Sequence, residues 1–67
     1  TAITTEVKAK ILVEKDLSAL DISVDTVDGV VTLTGNAKSQ ALAERAEQIA
    51  RQVKGVKQVD NKLIIKP

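Results

Sequence analysis

The sequence contains no cysteine, histidine, methionine or aromatic residue. These absences exclude much of the chemistry that proteins perform. Zinc and copper sites use imidazole or thiolate ligands, and hydrolytic triads need a histidine or cysteine as base or nucleophile. Single-stranded nucleic acids are held largely by stacking their bases on aromatic side chains. We therefore expect a protein that is not an enzyme and has no cofactor, no metal site and no nucleic-acid partner.

The chain is also short and nearly neutral. Its 67 residues include ten lysines and arginines against nine acidic residues, a net charge of +1, so no overall basic field attracts DNA or RNA. A domain of this size buries only about 60% of the surface that its unfolded chain exposes, which leaves little room for a deep active site. No apolar run is long enough to predict a transmembrane segment. We interpret residues 1–67 as one domain, cut from a longer precursor because the first residue is Thr1.

The spacing of apolar residues predicts two helices. Every fourth residue from Ile3 to Ile11 is apolar, which predicts a first helix from Ile3 to about Leu17. A second helix is predicted between an N-cap at Ser39 and a left-handed C-terminal residue at Gly55. Its expected buried stripe consists of Leu42, Ala46, Ile49, Ala50 and Val53.

Alternation of apolar and polar residues predicts three strands. The first begins at Ile22, and the return strand from Val30 to Thr34 follows Asp28-Gly29, a dipeptide typical of type I′ hairpin turns. The last strand runs from about Val59 to Ile65. A right-handed crossover through the second helix makes this strand parallel to the second. We therefore predict an α+β fold, an α-β-β-α-β two-layer sandwich in which a three-stranded mixed sheet carries both helices on one face.

Two sequence runs carry a resemblance to a known family. They are D-G-V-V-T-L-T-G at positions 28–35 and G-V-K-Q-V-D-N-K-L at positions 55–63. With the helix between them, they resemble the BON domain over nearly the whole chain. The resemblance implies a non-catalytic, periplasmic module of the bacterial envelope, associated with osmotic protection, phospholipid binding or chaperoning. It also implies structural roles for the glycines, with Gly29 in the hairpin, Gly35 at the strand exit and Gly55 at the helix end.

Charge is unevenly divided along the chain. Residues 1–33 contain three lysines against six acidic residues, a net charge of −3, while residues 34–67 contain seven basic against three acidic residues, a net charge of +4. Lys57, Lys62 and Lys66, together with Lys54, form a basic strip that suits phosphate head groups, at about 1 kcal/mol per lysine near an anionic surface. The same lysines also suit a second role, the protection of an exposed strand edge against pairing.

The first helix offers a second candidate surface. Lys8, Lys10 and Lys15 surround Leu12 and Val13, as in helices that lie at a membrane interface. The alternative is a surface covered by a partner, or simply an imperfectly amphipathic helix, because single exposed apolar residues are common.

Three aspartates lie close together before and within the predicted hairpin. Asp21, Asp25 and Asp28 offer oxygen ligands, but their spacing is not that of a calcium loop. We interpret them as solvated or turn-forming residues rather than as metal ligands.

The sequence therefore favours a binding module that associates with anionic phospholipid surfaces in osmotic-stress protection. The alternative is a chaperone-like or protein–protein interaction module that binds envelope proteins through the open sheet face, around Thr32, Thr34 and Ile64, or through an edge strand. We expect a monomer or one unit of a tandem-domain protein. The predicted lipid- or partner-binding residues are Lys8, Leu12, Val13, Lys15, Lys57, Lys62, Ile64 and Lys66.

Overall fold

A computed structural model describes residues 2–17 and 21–67. Its elements, in chain order, are α1 (Ala2–Leu12), β1 (Ile22–Val27), β2 (Val30–Ala37), α2 (Gln40–Arg51), β3 (Gln58–Asn61) and β4 (Ile64–Ile65). The four strands form a mixed sheet, and α1 packs on β1 while α2 packs on β2 and β3. The predicted α+β fold is confirmed, with one strand more than expected.

The hairpin between β1 and β2 has the predicted turn. The strands are antiparallel from Ile22 opposite Gly35 to Val27 opposite Val30. Both turn residues have positive φ, 51° at Asp28 and 81° at Gly29. A type I′ turn requires this geometry at its two central positions, and a glycine adopts it without steric cost.

The last strand is divided into two. β3 and β4 both pair in parallel with β2 and keep one register, with Leu33 opposite Asn61 and Asn36 opposite Ile64. The predicted parallel direction is therefore confirmed, but the ladder is interrupted at residues 62–63. The side chain of Asn61 explains the interruption, because its Oδ1 accepts the backbone N–H of Leu63 at 3.1 Å while its Nδ2 donates to the Ala43 carbonyl of α2 at 3.0 Å.

The first helix is shorter than predicted and ends at Leu12 rather than near Leu17. Its last turn tightens, since the N–H of Glu14 donates to the carbonyl of Ile11 at 3.0 Å. The Glu14 carboxylate then accepts a 2.7 Å hydrogen bond from Nε of Arg45 on α2. This long-range ion pair joins the turn after α1 to α2.

Small and aliphatic side chains fill the space between the helices and the sheet. Val7 and Ile11 of α1 and Val31 and Leu33 of β2 are almost completely buried. They pack with Ala46 and the rest of the second helix's inner face. That inner face is slightly rotated from the prediction, with Leu42 half-buried and the others buried, now including Ala43.

Both ends of α2 have defined caps. Oγ of Ser39 accepts the N–H of Leu42 at 3.2 Å, so the predicted N-cap is confirmed. Gln52 stands at the C-cap, and Gly55 lies in the turn that follows, with φ of 96°. A Cβ at Gly55 would lie 3.1 Å from Cδ1 of Ile3, so this turn packs closely on the beginning of α1.

The elements alternate in direction, which gives the elongated domain two distinct ends. At the hairpin end, Oγ1 of Thr4 and Oγ1 of Thr26 share a 2.8 Å hydrogen bond between the beginning of α1 and the end of β1. We call the opposite end the far end; there α1, β2 and β4 end while β1 and α2 begin. The longest dimension of the fold is 32 Å.

Two ion pairs involve α2 and hold their carboxylates charged, one from Glu14 to Arg45 and one within the helix between Glu47 and Arg51. The Arg45 hydrogen bond lowers the pKa of Glu14 below its ordinary value of 4.5. The pKa of Glu47 is lowered in the same way, first by its hydrogen bond from Arg51 and then by that from Asn61. Both carboxylates lie at the surface, so solvent screens these interactions and their contribution to stability is modest.

Replacement of Gly35 by alanine should destabilise the fold strongly. A Cβ at this position would lie 2.0 Å from the Asp21 carbonyl oxygen, and the backbone has φ of +112°. We expect a loss of about 2–4 kcal/mol in the free energy of unfolding, measured by urea denaturation with circular dichroism. The matched variant Thr34→Ala, at an exposed neighbouring position, should change much less. Equal effects of the two variants would contradict this account.

Acidification should weaken the fold through Glu14 and Glu47. Their folded pKa values lie below 4.5, so their stabilisation is present above that pH and is lost as pH falls through the folded values. The thermal midpoint should therefore decrease below about pH 4.5, and less in Glu14→Gln and Glu47→Gln than in the parent. Glu44→Gln should keep the parent's pH profile, because Glu44 is exposed and forms no ion pair with another described residue. If the thermal midpoint of Glu44→Gln varied with pH as little as that of Glu47→Gln, the assignment of the pH dependence to Glu14 and Glu47 would be wrong.

Candidate functional site

The far end of the fold collects most of the predicted binding residues. Those located there are Leu12, Val13, Lys15, Ile64 and Lys66. Lys8 lies on α1 one turn before Leu12. Lys62 lies beside Ile64, in the interruption between β3 and β4. Lys57 lies at the hairpin end, so the structure separates it from the others.

The end of α1 exposes two adjacent aliphatic residues. Leu12 is 67% and Val13 is 80% exposed, because Val7 and Ile11 already occupy the buried side of the helix. Val13 and Lys15 flank Glu14, whose carboxylate is held by Arg45 at 2.7 Å. The ion pair therefore links the turn that carries both side chains to α2.

The end of β4 presents a basic and aliphatic strip. Lys62, Ile64 and Lys66 alternate along the chain and so lie on the sheet face opposite the helices. Ile64 is 59% exposed. Nζ of Lys62 lies 3.8 Å from Asp60 Oδ2, whereas Lys66 has no such partner among the residues that the structure describes.

Lys38 is a functional candidate that the sequence analysis missed. The N–H of Lys66 donates to the carbonyl of Ala37 at 2.7 Å, which brings Lys66 beside the residue that follows Ala37. Lys38 is exposed at this position. The alternation of side chains along β2, continued to the next residue, places Lys38 on the open side with Asn36. The sequence analysis did not use this pattern, because its predicted strand ended at Thr34.

An open depression of about 460 Å³ lies at the far end, and no residue of β4 lines it. Its walls come from the turn after α1, the beginning of β1, the end of β2 and the first turn of α2. Lys15 and Lys38 line it together with Asp16 and Asp21. Charges of both signs therefore meet here.

Lys57 has a local role at the other end of the domain. Its N–H donates to the Gly29 carbonyl at 2.8 Å, and a Cβ at Gly29 would lie 3.0 Å from the Lys57 Cγ. The stem of this lysine therefore packs across the hairpin turn. The predicted strip of lysines does not form one continuous patch.

The open sheet face is the other accessible surface. Thr32 and Thr34 occupy its centre, with Asp25 opposite Thr32 on β1 and Asp60 opposite it on β3. At the hairpin end of this face, Val27 is 62% exposed. The face is thus mostly polar, with isolated aliphatic residues near both ends.

Two further features bear on membranes and metals. No helix in the described ranges, 2–17 and 21–67, is both long and apolar enough to cross a membrane. Within the same residues, no three acidic side chains are grouped in a way that could hold a metal ion.

Comparison with known proteins identifies the family. The BON domain model matches residues 1–67. The chain is 49% identical to osmotically-inducible protein Y of Escherichia coli, over 94% of this chain and 31% of that protein. It is 40% identical, over 85% of this chain, both to the 21 kDa hemolysin of Actinobacillus pleuropneumoniae and to the outer membrane lipoprotein DolP of Haemophilus influenzae, covering 29% of each. The chain spans about a third of the length of these relatives. It belongs to the BON domain family.

Proposed function

We propose that this domain is a non-catalytic module of the bacterial envelope that docks on anionic phospholipid surfaces through its far end. The observation that carries the proposal is the convergence there of exposed aliphatic side chains with lysines from separate segments. We call this surface the docking end and define it as Leu12, Val13, Lys15, Lys38, Ile64 and Lys66.

The composition of the docking end suits the boundary between lipid head groups and acyl chains. Val13 and Ile64 can enter the boundary while the ammonium groups of nearby lysines remain at the phosphates. Each lysine close to an anionic surface contributes about 1 kcal/mol. Asp16 and Asp21 line the same end and offset part of this attraction. Because these charges are exposed, the attraction should weaken strongly as salt increases.

A single domain of this kind should bind weakly. Its aliphatic residues are few, and each adds at most about 1.5–3 kcal/mol when fully buried. The relatives are about three times as long as this chain, so they have room for further binding units. Linking weak sites in one protein raises the overall affinity without new contacts.

The relatives support a location in the envelope. One is named an outer membrane lipoprotein and another an osmotically-inducible protein. We infer a periplasmic location for this domain and a part in protection against osmotic stress.

A chaperone-like or protein-binding role is the second candidate. It is favoured by the open sheet face, which leaves Val27 and Ile64 more than half exposed at the two ends of a polar centre. Binding through this face should tolerate salt and respond to Ile64→Asp.

Charge reversal at the docking end should abolish most binding to anionic vesicles. The double variant Lys15→Glu/Lys66→Glu loses two lysine contacts, roughly 2 kcal/mol or a factor of about thirty in the binding constant. Co-sedimentation with vesicles of phosphatidylglycerol and phosphatidylcholine, at low and moderate salt, measures the effect. Val13→Asp should also weaken binding, through lost insertion rather than lost attraction.

The matched control is Lys54→Glu/Lys57→Glu, which makes the same charge change towards the hairpin end. It should bind nearly as well as the parent. Equal losses in both double variants would show that binding follows net charge alone, and equal binding to purely zwitterionic vesicles would refute the proposed role of the lysines.

A further inference from the structure

The two edges of the sheet differ in their accessibility to another strand. The β3 and β4 edge is interrupted, and Asn61 Oδ1 already binds the N–H of Leu63. Lys62 and Lys66 lie along it, and Pro67 follows. Interruptions, lysines and proline are devices that protect an edge from pairing. This edge is closed to a partner.

The β1 edge has none of these devices. β1 is six continuous residues without glycine, proline or lysine, and within the described ranges it pairs with β2 alone. Val27 opposite Val30 closes the two-residue turn, so alternate residues from Val27 exchange hydrogen bonds with β2. The bond from the Asn36 N–H to the Asp21 carbonyl, 2.9 Å, follows the same alternation. The N–H and C=O groups of Ile22, Val24 and Thr26 consequently point away from the sheet.

Negative charge lies along the open side of this edge. Residues 16–37 contain four aspartates and no lysine or arginine. Asp21 and Asp25 have the same parity along the strand and lie on its open side. Neither forms an ion pair with another described residue. An added strand with basic side chains on the open side would place positive charges next to the carboxylates of Asp21 and Asp25.

The opposite side of the edge is bordered by α1. Thr4, Lys8 and Leu12 recur every fourth residue and so lie along one side of the helix. The hydrogen bond between Thr4 and Thr26 places that side at β1. Leu12, which is 67% exposed, offers apolar surface there. Since Lys8 lies on the same side, residues of an added strand that face α1 should be aliphatic rather than basic.

We propose that β1 binds an extended segment of a partner protein in which lysine or arginine alternates with aliphatic residues. The segment adds a strand to the sheet next to β1. Its basic side chains lie beside Asp21 and Asp25 on the open side, and its aliphatic side chains face α1 on the other side. A second copy of this chain is a poorer occupant, because pairing of two β1 strands brings aspartates of both copies together.

The test uses amide NMR of the labelled domain with a synthetic peptide that alternates lysine and valine and is long enough to span β1. The amides of Ile22, Val24 and Thr26 should shift and become protected from hydrogen exchange. A peptide of the same composition with all lysines in one block, and an alternating glutamate and valine peptide, should not produce this protection.

Asp25→Lys should weaken peptide binding by about tenfold, because it replaces a favourable cross-strand pair by a repulsive one. Glu44→Lys, on the exposed side of α2, makes the same charge change and should leave binding within about twofold of the parent. Equal losses in the two variants, protection by the block peptide, or no protection of β1 would overturn the proposal. Concentration-dependent protection of β1 without peptide would instead identify a second copy as the occupant.

Discussion

The pairing of β2 on both of its sides is the constraint on which the rest of this small fold depends. β1 pairs with it along one side, and β3 and β4 pair along the other. Val31 and Leu33 of the same strand form the centre of the buried layer. The strand therefore supplies hydrogen bonds to every other strand in the described chain and apolar surface to the helices. A backbone disturbance in β2 affects both at once, so a side chain at Gly35, where a Cβ would lie 2.0 Å from the Asp21 carbonyl oxygen, should be costly.

The absence of aromatic residues determines how this layer is filled. Aliphatic side chains from the sheet pack against alanines of α2, so the helix can approach the strands closely. Close approach allows Asn61 to reach the Ala43 carbonyl and, at 3.3 Å, the Glu47 carboxylate. One side chain thereby links the edge of the sheet to the helix and satisfies the N–H of Leu63. A local interruption of the strand is the geometric result of this link.

Local patterns predicted most of the fold, and long-range contacts account for the differences. The Asp28-Gly29 turn and the Ser39 cap follow from neighbouring residues, the parallel crossover follows from the order of the elements, and all three are present. The end of α1 at Leu12 coincides with a turn in which Glu14 pairs with Arg45, 31 positions away. No local pattern contains that information. The placement of Lys38 beside Lys66 likewise depends on a register that only the folded sheet defines.

The nearly neutral net charge conceals a partial spatial separation of charge, since Asp16 and Asp21 still lie beside Lys15 and Lys38 at the far end. Aspartates follow β1 and the hairpin, while lysines from three segments meet towards the far end. This separation gives the two proposed surfaces opposite preferences, anionic lipid at the docking end and a basic strand at the β1 edge. Leu12 belongs to both, since it ends α1 and also lies on the side of the helix that borders β1. A strand bound at β1 would cover Leu12 and remove it from the lipid boundary, so the two ligands would compete for this one side chain while their charged contacts remain separate.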